Sequence, residues 1–170
     1  YARPDNMYAK FDVSSRSLAD TYLPTFEQFQ RRGGADGLMC AMTMIQIDDG
    51  PAMHSCGSKY LSDKILRNTW GSDALIQTDC CDSISTINAP FHYRNITTDK
   101  EALRIALIYG QVQSYYGFKV ERMRKLLHEL VQESESVADA IERAARRVLL
   151  SFFRLGFFDA VPYQPKPLPL

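Results

Sequence analysis

The sequence lacks an excess of charge, a long apolar run and a metal-binding pattern, and each absence removes a class of function. Twenty basic residues balance twenty acidic ones, so no overall charge draws the chain to nucleic acid or to an anionic membrane. No run approaches the ~18 apolar residues of a membrane span. The chain opens on Tyr1 without a signal-peptide pattern, which indicates a processed chain or a piece of a longer one.

Cysteines are few, and their spacing excludes a zinc site. The four cysteines, at positions 40, 56, 80 and 81, form no C-x-x-C pair and have no histidine at ligand spacing. Three disulfide pairings are possible in principle, and the adjacent Cys80 and Cys81 could bond to each other only under strain. We expect neither a metal nor another cofactor.

Asn95-Ile96-Thr97 is an N-glycosylation sequon, so Asn95 is a candidate acceptor in a secreted protein. Secretion is therefore our expected localisation.

Apolar spacing predicts one domain of strands and helices, large enough at 170 residues to bury a core. Helices are predicted over 17–32, 58–67, 98–110, 118–131 and 136–155. Pro24 should kink the first helix or open a second one. Buried strands are predicted over 38–44 and 74–78, residues 3–15 are expected to be irregular, and 48–51 should form a turn.

The alternation of strand and helix predicts a fold of the α/β class with parallel strands and helical crossovers. A closed eight-stranded barrel needs about 250 residues. We therefore predict a partial, helix-rich (β/α)8 barrel of the TIM type over residues 1–159. Residues 160–170 have a proline at nearly every second position, which predicts an extended linker or tail.

Asp79 is the leading candidate for a functional residue, because the predicted strand over 74–78 runs directly into it. Catalytic groups of a βα-barrel lie at the carboxyl ends of its strands. Aspartate is also a preferred helix cap, and from the local pattern alone capping is the stronger interpretation.

Six segments of the chain form an ordered set of motifs. They are DTYLPTF at 20–26, GADGLMC at 34–40, YL, ILR and WG between 60 and 71, ALIQTDCCDS at 74–83, HY with TDKEALRIA between 92 and 106, and RRVL with FRLGFFD between 146 and 159. Over about residues 11–160 these segments resemble, in the order of the family, glycoside hydrolase family 3, in particular its β-xylosidases and β-glucosidases.

The resemblance implies retaining hydrolysis of β-linked xylosyl or glucosyl residues, with Asp79 at the position of the nucleophile. Such hydrolysis needs a second carboxyl group ~5–5.5 Å away, which acts first as an acid and then as a base. Met42, Thr43 and His92 fall on substrate-binding positions. The resemblance also implies a Cys40–Cys56 disulfide.

The departures from the family concern the groups that hold the sugar. Its Lys-His pair has no counterpart here, and Ala41-Met42-Thr43 replaces its Ser-Tyr-Asn, which removes donors and acceptors for hydroxyl groups. The general acid, a glutamate usually supplied by a following domain, would lie beyond Leu170. Asp48, Asp49, His54 and Asp82 could replace it by residue type alone, but the three aspartates are better explained as turn or capping residues.

Two functions therefore remain open. The chain is expected either to form part of a β-glycosidase, active only when completed by further barrel strands and an acid-bearing domain, or to be an inactive glycosidase-derived interaction subunit. In both cases a protein partner, or the remainder of the same precursor, should cover the open barrel edge.

Overall fold

The computed structural model describes residues 10–79, 87, 96–113 and 119–159, and the predicted tail at 160–170 lies outside them. These residues form the expected mixture of strands and helices. In this part of the chain, no helix combines the length and the apolar character needed to cross a bilayer.

A small sheet that the sequence pattern does not predict stands at the beginning of the described chain. Strand β1 (Lys10–Val13) pairs in parallel with β3 (Met44–Ile47), and the short β4 (Met53–His54) pairs antiparallel to β3. The expectation of an irregular segment over 3–15 is therefore wrong for 10–13. Those residues are mostly exposed, and their pairing with β3 keeps them extended.

The first predicted helix is present but divided. It consists of α1 (Ser15–Ser17), a π-helical stretch (Leu18–Tyr22) and α2 (Leu23–Arg31). Ser17 N–H donates to Ser14 Oγ at 3.0 Å, which caps the start of the helix. Pro24 lies in the first turn of α2, directly after the π-helical stretch, and it has no N–H to donate to the preceding turn. It thus opens a new segment, the second of the two predicted outcomes.

A second, two-stranded sheet joins β2 (Gly37–Cys40) to β5 (Leu75–Thr78) in parallel. Between them the chain passes through a 3-10 turn (Ser55–Gly57) and α3 (Tyr60–Thr69), a helix in the π register. The predicted parallel pair with a helical connection is confirmed. The strand predicted over 38–44 ends at Cys40, because the next residues turn away to enter β3.

Three helices pack beside the parallel pair and enclose most of the core. They are α4 (Asp99–Ile108), α5 (Val120–Glu133) and α6 (Glu135–Arg154). Glu101 N–H donates to Thr98 Oγ1 at 3.2 Å, so Thr98 caps α4. The core cluster joins residues of both strands to all of these helices, and its fully or almost fully buried members include Cys56, Leu66, Ile76, Ala102, Leu103, Ala106, Val112, Leu130 and Val137.

Arg67 connects the end of α3 to the beginning of β5. Its Nη1 donates to the carbonyl oxygens of Ser72 and Ala74, both at 2.8 Å, and its Nε donates to Gln111 Oε1 at 3.1 Å. Burial, and secondarily the charge of Arg147, lowers the pKa of Arg67 to about 10. One cation thus fixes where β5 starts, and the strand then leads to Asp79.

Candidate active site

The carboxyl ends of β2 and β5 lie side by side, and this edge contains the leading candidate residue. In the parallel register Cys40 is opposite Thr78. Asp79 therefore leaves β5 at the same edge at which Ala41 leaves β2, and its side chain is half-buried. Catalytic groups of parallel α/β folds occupy this edge. The segment that Asp79 would cap begins at residue 80, outside the described residues.

A disulfide joins Cys40 to Cys56 at this edge, with 5.1 Å between the two Cα atoms. Cys56 is completely buried, and Cys40 is nearly so. Cys40 Sγ lies 3.3 Å from the carbonyl oxygen of Gln77. The disulfide consequently ties the end of β2 to the 3-10 turn at 55–57, and its Cys40 sulfur packs against the backbone of β5 at Gln77.

The loop around Cys56 is braced by α4. A Cβ atom at Gly110, just after α4, would lie only 1.8 Å from the carbonyl oxygen of Cys56, so only a glycine fits there without displacing backbone. Ser62 Oγ lies 2.9 Å from the carbonyl oxygen of Ser58 and 2.5 Å from that of Tyr109, so its one hydroxyl proton is shared between these two acceptors. Two backbone segments and the disulfide therefore hold this loop.

His54, one of the in-chain candidates for an acid, takes part in the same loop. It is completely buried, and its Nδ1 accepts a hydrogen bond from Cys56 N–H at 3.1 Å. In the neutral ring the proton then sits on Nε2. This contact gives His54 a structural role as the cap of the 3-10 turn.

Asp48 and Asp49 occupy the exposed turn that follows β3, at the end of the strand away from Met44. Asp48 Oδ1 accepts a hydrogen bond from Ser15 N–H at 2.9 Å. This bond is the first cause of the lowered pKa of Asp48. The interpretation of Asp48 and Asp49 as turn residues agrees with this placement, while Asp82, interpreted as a cap, lies outside the described residues.

The residues after β2 offer few polar groups to a sugar. Met42 is only 7% exposed, so its side chain belongs to the interior. Thr43 is half-buried, and its carbonyl oxygen accepts hydrogen bonds from Ser55 N–H at 3.1 Å and Ser55 Oγ at 3.0 Å. Two further candidates, His92 and Asn95, lie outside the described residues, as do Cys80 and Cys81.

An apolar cavity of about 480 Å³ lies between the first helical segment and the two sheets. Its walls include Tyr22, Phe26, Met39 and Cys40, and the first three are at least half exposed. A lining of this kind can pack against apolar side chains but cannot hold a row of hydroxyl groups. Over the ranges that the structure describes, no group of three or more His, Cys, Asp or Glu side chains is arranged to hold a metal ion.

Three residues that organise this edge are not identified by sequence reasoning. Arg67 and Gly110 act through contacts with residues distant in the chain. Gln113 extends the outer edge of β5, because its N–H donates to the carbonyl oxygen of Ile76 at 2.8 Å and its Oε1 accepts from Ile76 N–H at 2.6 Å. The only local signal is Gly110, which the sequence marks as a helix terminator and not as a contact of Cys56.

Known proteins similar to this chain are glycosidases. A putative beta-xylosidase of Formosa agariphila is 29% identical over 153 residues, which are 89% of this chain and 19% of that protein. A β-glucosidase of Rhizobium radiobacter is similar by sequence as well. The chain spans 19% of the length of the first of these relatives and 16% of the second. No family model matches the sequence.

Solved structures show the same fold. The β-glucosidase of Listeria innocua in complex with gluconolactone superposes with a TM-score of 0.72 at 21% identity, over 89% of this chain and 19% of that one. A glycoside hydrolase family 3 β-N-acetylglucosaminidase from a Paenibacillus species gives 0.65 at 19% identity, over 92% and 29%. The chain is thus similar in sequence to β-xylosidases and β-glucosidases, and it shares its fold with one segment of solved β-glucosidases and of a glycoside hydrolase family 3 β-N-acetylglucosaminidase.

Proposed function

We propose that this chain is the nucleophile-bearing part of a retaining β-glycosidase, with Asp79 as the attacking carboxylate. The observation that carries the proposal is the place of Asp79, directly after β5 and level with the end of β2 in a parallel pair. The relationship to β-xylosidases and β-glucosidases supports β-linked xylosyl or glucosyl residues as substrates.

In the proposed reaction Asp79 attacks the anomeric carbon and the glycosidic oxygen leaves. The product of this step is a covalent glycosyl-enzyme, and water then releases the sugar with its original configuration. A second carboxyl group must protonate the leaving oxygen and later deprotonate the water. Asp48 is engaged by Ser15 on the remote turn, so we propose that the acid comes from a segment or chain beyond these 170 residues.

The same proposal includes completion of the barrel. Among the described residues, β2 pairs only with β5, and parallel sheets are normally covered on both faces and at their edges. The apolar cavity beside β2 and its exposed aromatic walls are a further surface that needs cover. Additional barrel strands, from the same precursor or from a separate chain, would meet both needs, and we propose that the assembly is secreted.

A second candidate function is that of a non-catalytic interaction subunit. The buried Met42 favours it, since an apolar side chain stands at a position that the resemblance assigns to substrate binding. The end of α6 also exposes Phe152, Phe153, Phe157 and Phe158, and a patch of exposed aromatic side chains commonly marks a contact surface.

Chemical rescue tests the enzymatic proposal in the assembly isolated with its natural companions. Asp79→Ala should abolish hydrolysis of aryl β-xylosides and β-glucosides, and azide should restore release of the phenol from substrates with good leaving groups. The product should be the α-glycosyl azide, because azide attacks once from the face that Asp79 occupies. Asp73→Ala, which removes an exposed acid before β5, is the matched control and should remain active. Equal activity of Asp79→Ala and the control would rule out this role for Asp79, and inactivity of the unsubstituted assembly would favour the interaction subunit.

A further inference from the structure

Asp79 directly follows Thr78, the last residue of β5, so whatever fixes the end of β5 contributes to its position. The neighbour of that end is Cys40, opposite Thr78 in the register. Cys40 is the last residue of β2, and beyond it the chain turns away to β3. The two strand ends therefore share whatever restraint acts on Cys40.

The restraint on Cys40 is the disulfide to Cys56. Cys56 itself cannot move freely, because Gly110 leaves no room between the end of α4 and the Cys56 carbonyl. Its N–H is also held by His54 Nδ1. A continuous set of contacts thus runs from α4 through the disulfide to the residue beside Thr78.

We propose that the Cys40–Cys56 disulfide is a positioning device for Asp79, and that its reduction loosens the carboxyl edge of β2 and β5 while the rest of the domain stays folded. The term nucleophile for Asp79 rests on the proposed function, whereas the restraint itself does not. Reduction by a dithiol transfers two electrons and two protons to the cystine, which yields two thiols, and the dithiol closes to its own cyclic disulfide.

The consequence for chemistry follows from the geometry that covalent catalysis requires. The reacting atoms must approach to about 3–3.5 Å in line, and a misplacement of about 1 Å can cost about 100-fold in rate. Loss of the cross-link would therefore lower the rate constant of glycosyl transfer to Asp79 and leave the affinity for the sugar nearly unchanged. A purely stabilising disulfide would instead change only the fraction of folded protein.

Hydrogen exchange on the full chain tests the restraint without requiring activity. The comparison uses the oxidised protein, the same protein in dithiothreitol, and Cys40→Ser/Cys56→Ser with and without dithiothreitol. We expect exchange in peptides covering 75–79 to accelerate at least about tenfold on reduction, while peptides of α5 and α6 keep their rates. Dithiothreitol should add nothing in the double variant, which separates this bond from Cys80 and Cys81, and reoxidation should restore protection.

Two results would overturn the proposal: equal protection of 75–79 in the oxidised and reduced protein, or acceleration of all slow amides to the same extent. If the double variant does not fold, reduction of the unsubstituted chain supplies the same comparison.

Trapping with a 2-fluoroglycoside in the native assembly then separates this inference from the proposed function. A lower labelling rate constant at unchanged inhibitor affinity, after reduction, supports the positioning role. Equal labelling rates in both redox states contradict it. If nothing is labelled in either state, the nucleophile proposal fails, and the exchange result alone decides whether the disulfide restrains the edge.

Discussion

Replacement of Arg67 by methionine should destabilise the domain by about 2–3 kcal/mol, since it removes the donors that fix the start of β5. The guanidinium donates to two backbone carbonyl oxygens, of Ser72 and Ala74, at 2.8 Å each. A buried acceptor that loses its donor costs about 1–3 kcal/mol. Methionine retains an apolar stem of similar length, so the substitution tests the hydrogen bonds more than the packing.

Two opposing effects set that magnitude. The charge of Arg67 is costly to bury, as its lowered pKa of about 10 indicates, and methionine removes this cost. Partial exposure also lets water reach some of the released carbonyls. Two buried carbonyl oxygens that lose their donor could together cost up to about 6 kcal/mol, and the two opposing effects reduce the expected loss of unfolding free energy to about half of that.

The assay is denaturant unfolding of Arg67→Met and of Arg146→Met, an exposed arginine on α6. For Arg67→Met the denaturant concentration at the midpoint of unfolding should fall, while the dependence of the unfolding free energy on denaturant should stay unchanged. Its Tm should drop by about 4–12 °C, as expected for a domain of this size. The control should stay within about 0.5 kcal/mol of the parent. Equal stability of Arg67→Met and the parent, or equal losses in both variants, would refute this account of how β5 is held.

Three further predictions concern the loop, the core and the helix cap. Gly110→Ala should lower the free energy of unfolding by at least about 2 kcal/mol, because the added Cβ would lie 1.8 Å from a backbone carbonyl oxygen. Gly37→Ala should be nearly neutral in the same unfolding assay, because its Cβ would lie 3.7 Å from the nearest atom. Similar losses at both glycines would contradict the close approach at Gly110. Leu103→Ala should cost about 3 kcal/mol, since the side chain is completely buried, and a loss below about 1 kcal/mol would show that Leu103 is not part of a packed core. The hydrogen bond from Ser15 lowers the pKa of Asp48. The stability that the ionised carboxylate contributes is therefore present above the unfolded pKa of about 3.9 and is lost as pH falls through the lower folded pKa. The Tm difference between the parent and Asp48→Asn should accordingly vanish in strong acid, and a difference that stays constant with pH would contradict the assignment.

The predictable part of the structure is the part with local signals. The apolar run before Asp79 and the alternation of strand and helix identify β5 and its parallel pairing, because a buried strand needs no distant partner to be recognised. The capping sequence at Thr98 likewise marks the start of α4.

Other elements depend on contacts that no local pattern contains. Strand β1 is short and mostly exposed, and it is extended because β3 lies beside it. Gly110 reads as a helix end, although its closest contact is the backbone of Cys56. The interior position of Met42 also follows from the turn between β2 and β3, a tertiary feature that a sequence motif does not specify.

The proposed attack of Asp79 on the sugar is tested most directly by mass mapping of the assembly after inactivation by a 2-fluoro-β-xyloside or 2-fluoro-β-glucoside. If Asp79 is the nucleophile, the peptide that contains it should gain one 2-fluoroglycosyl group, and the same peptide of Asp79→Asn should gain none. A label on a different carboxylate, or full hydrolytic activity with no label on Asp79, would contradict it.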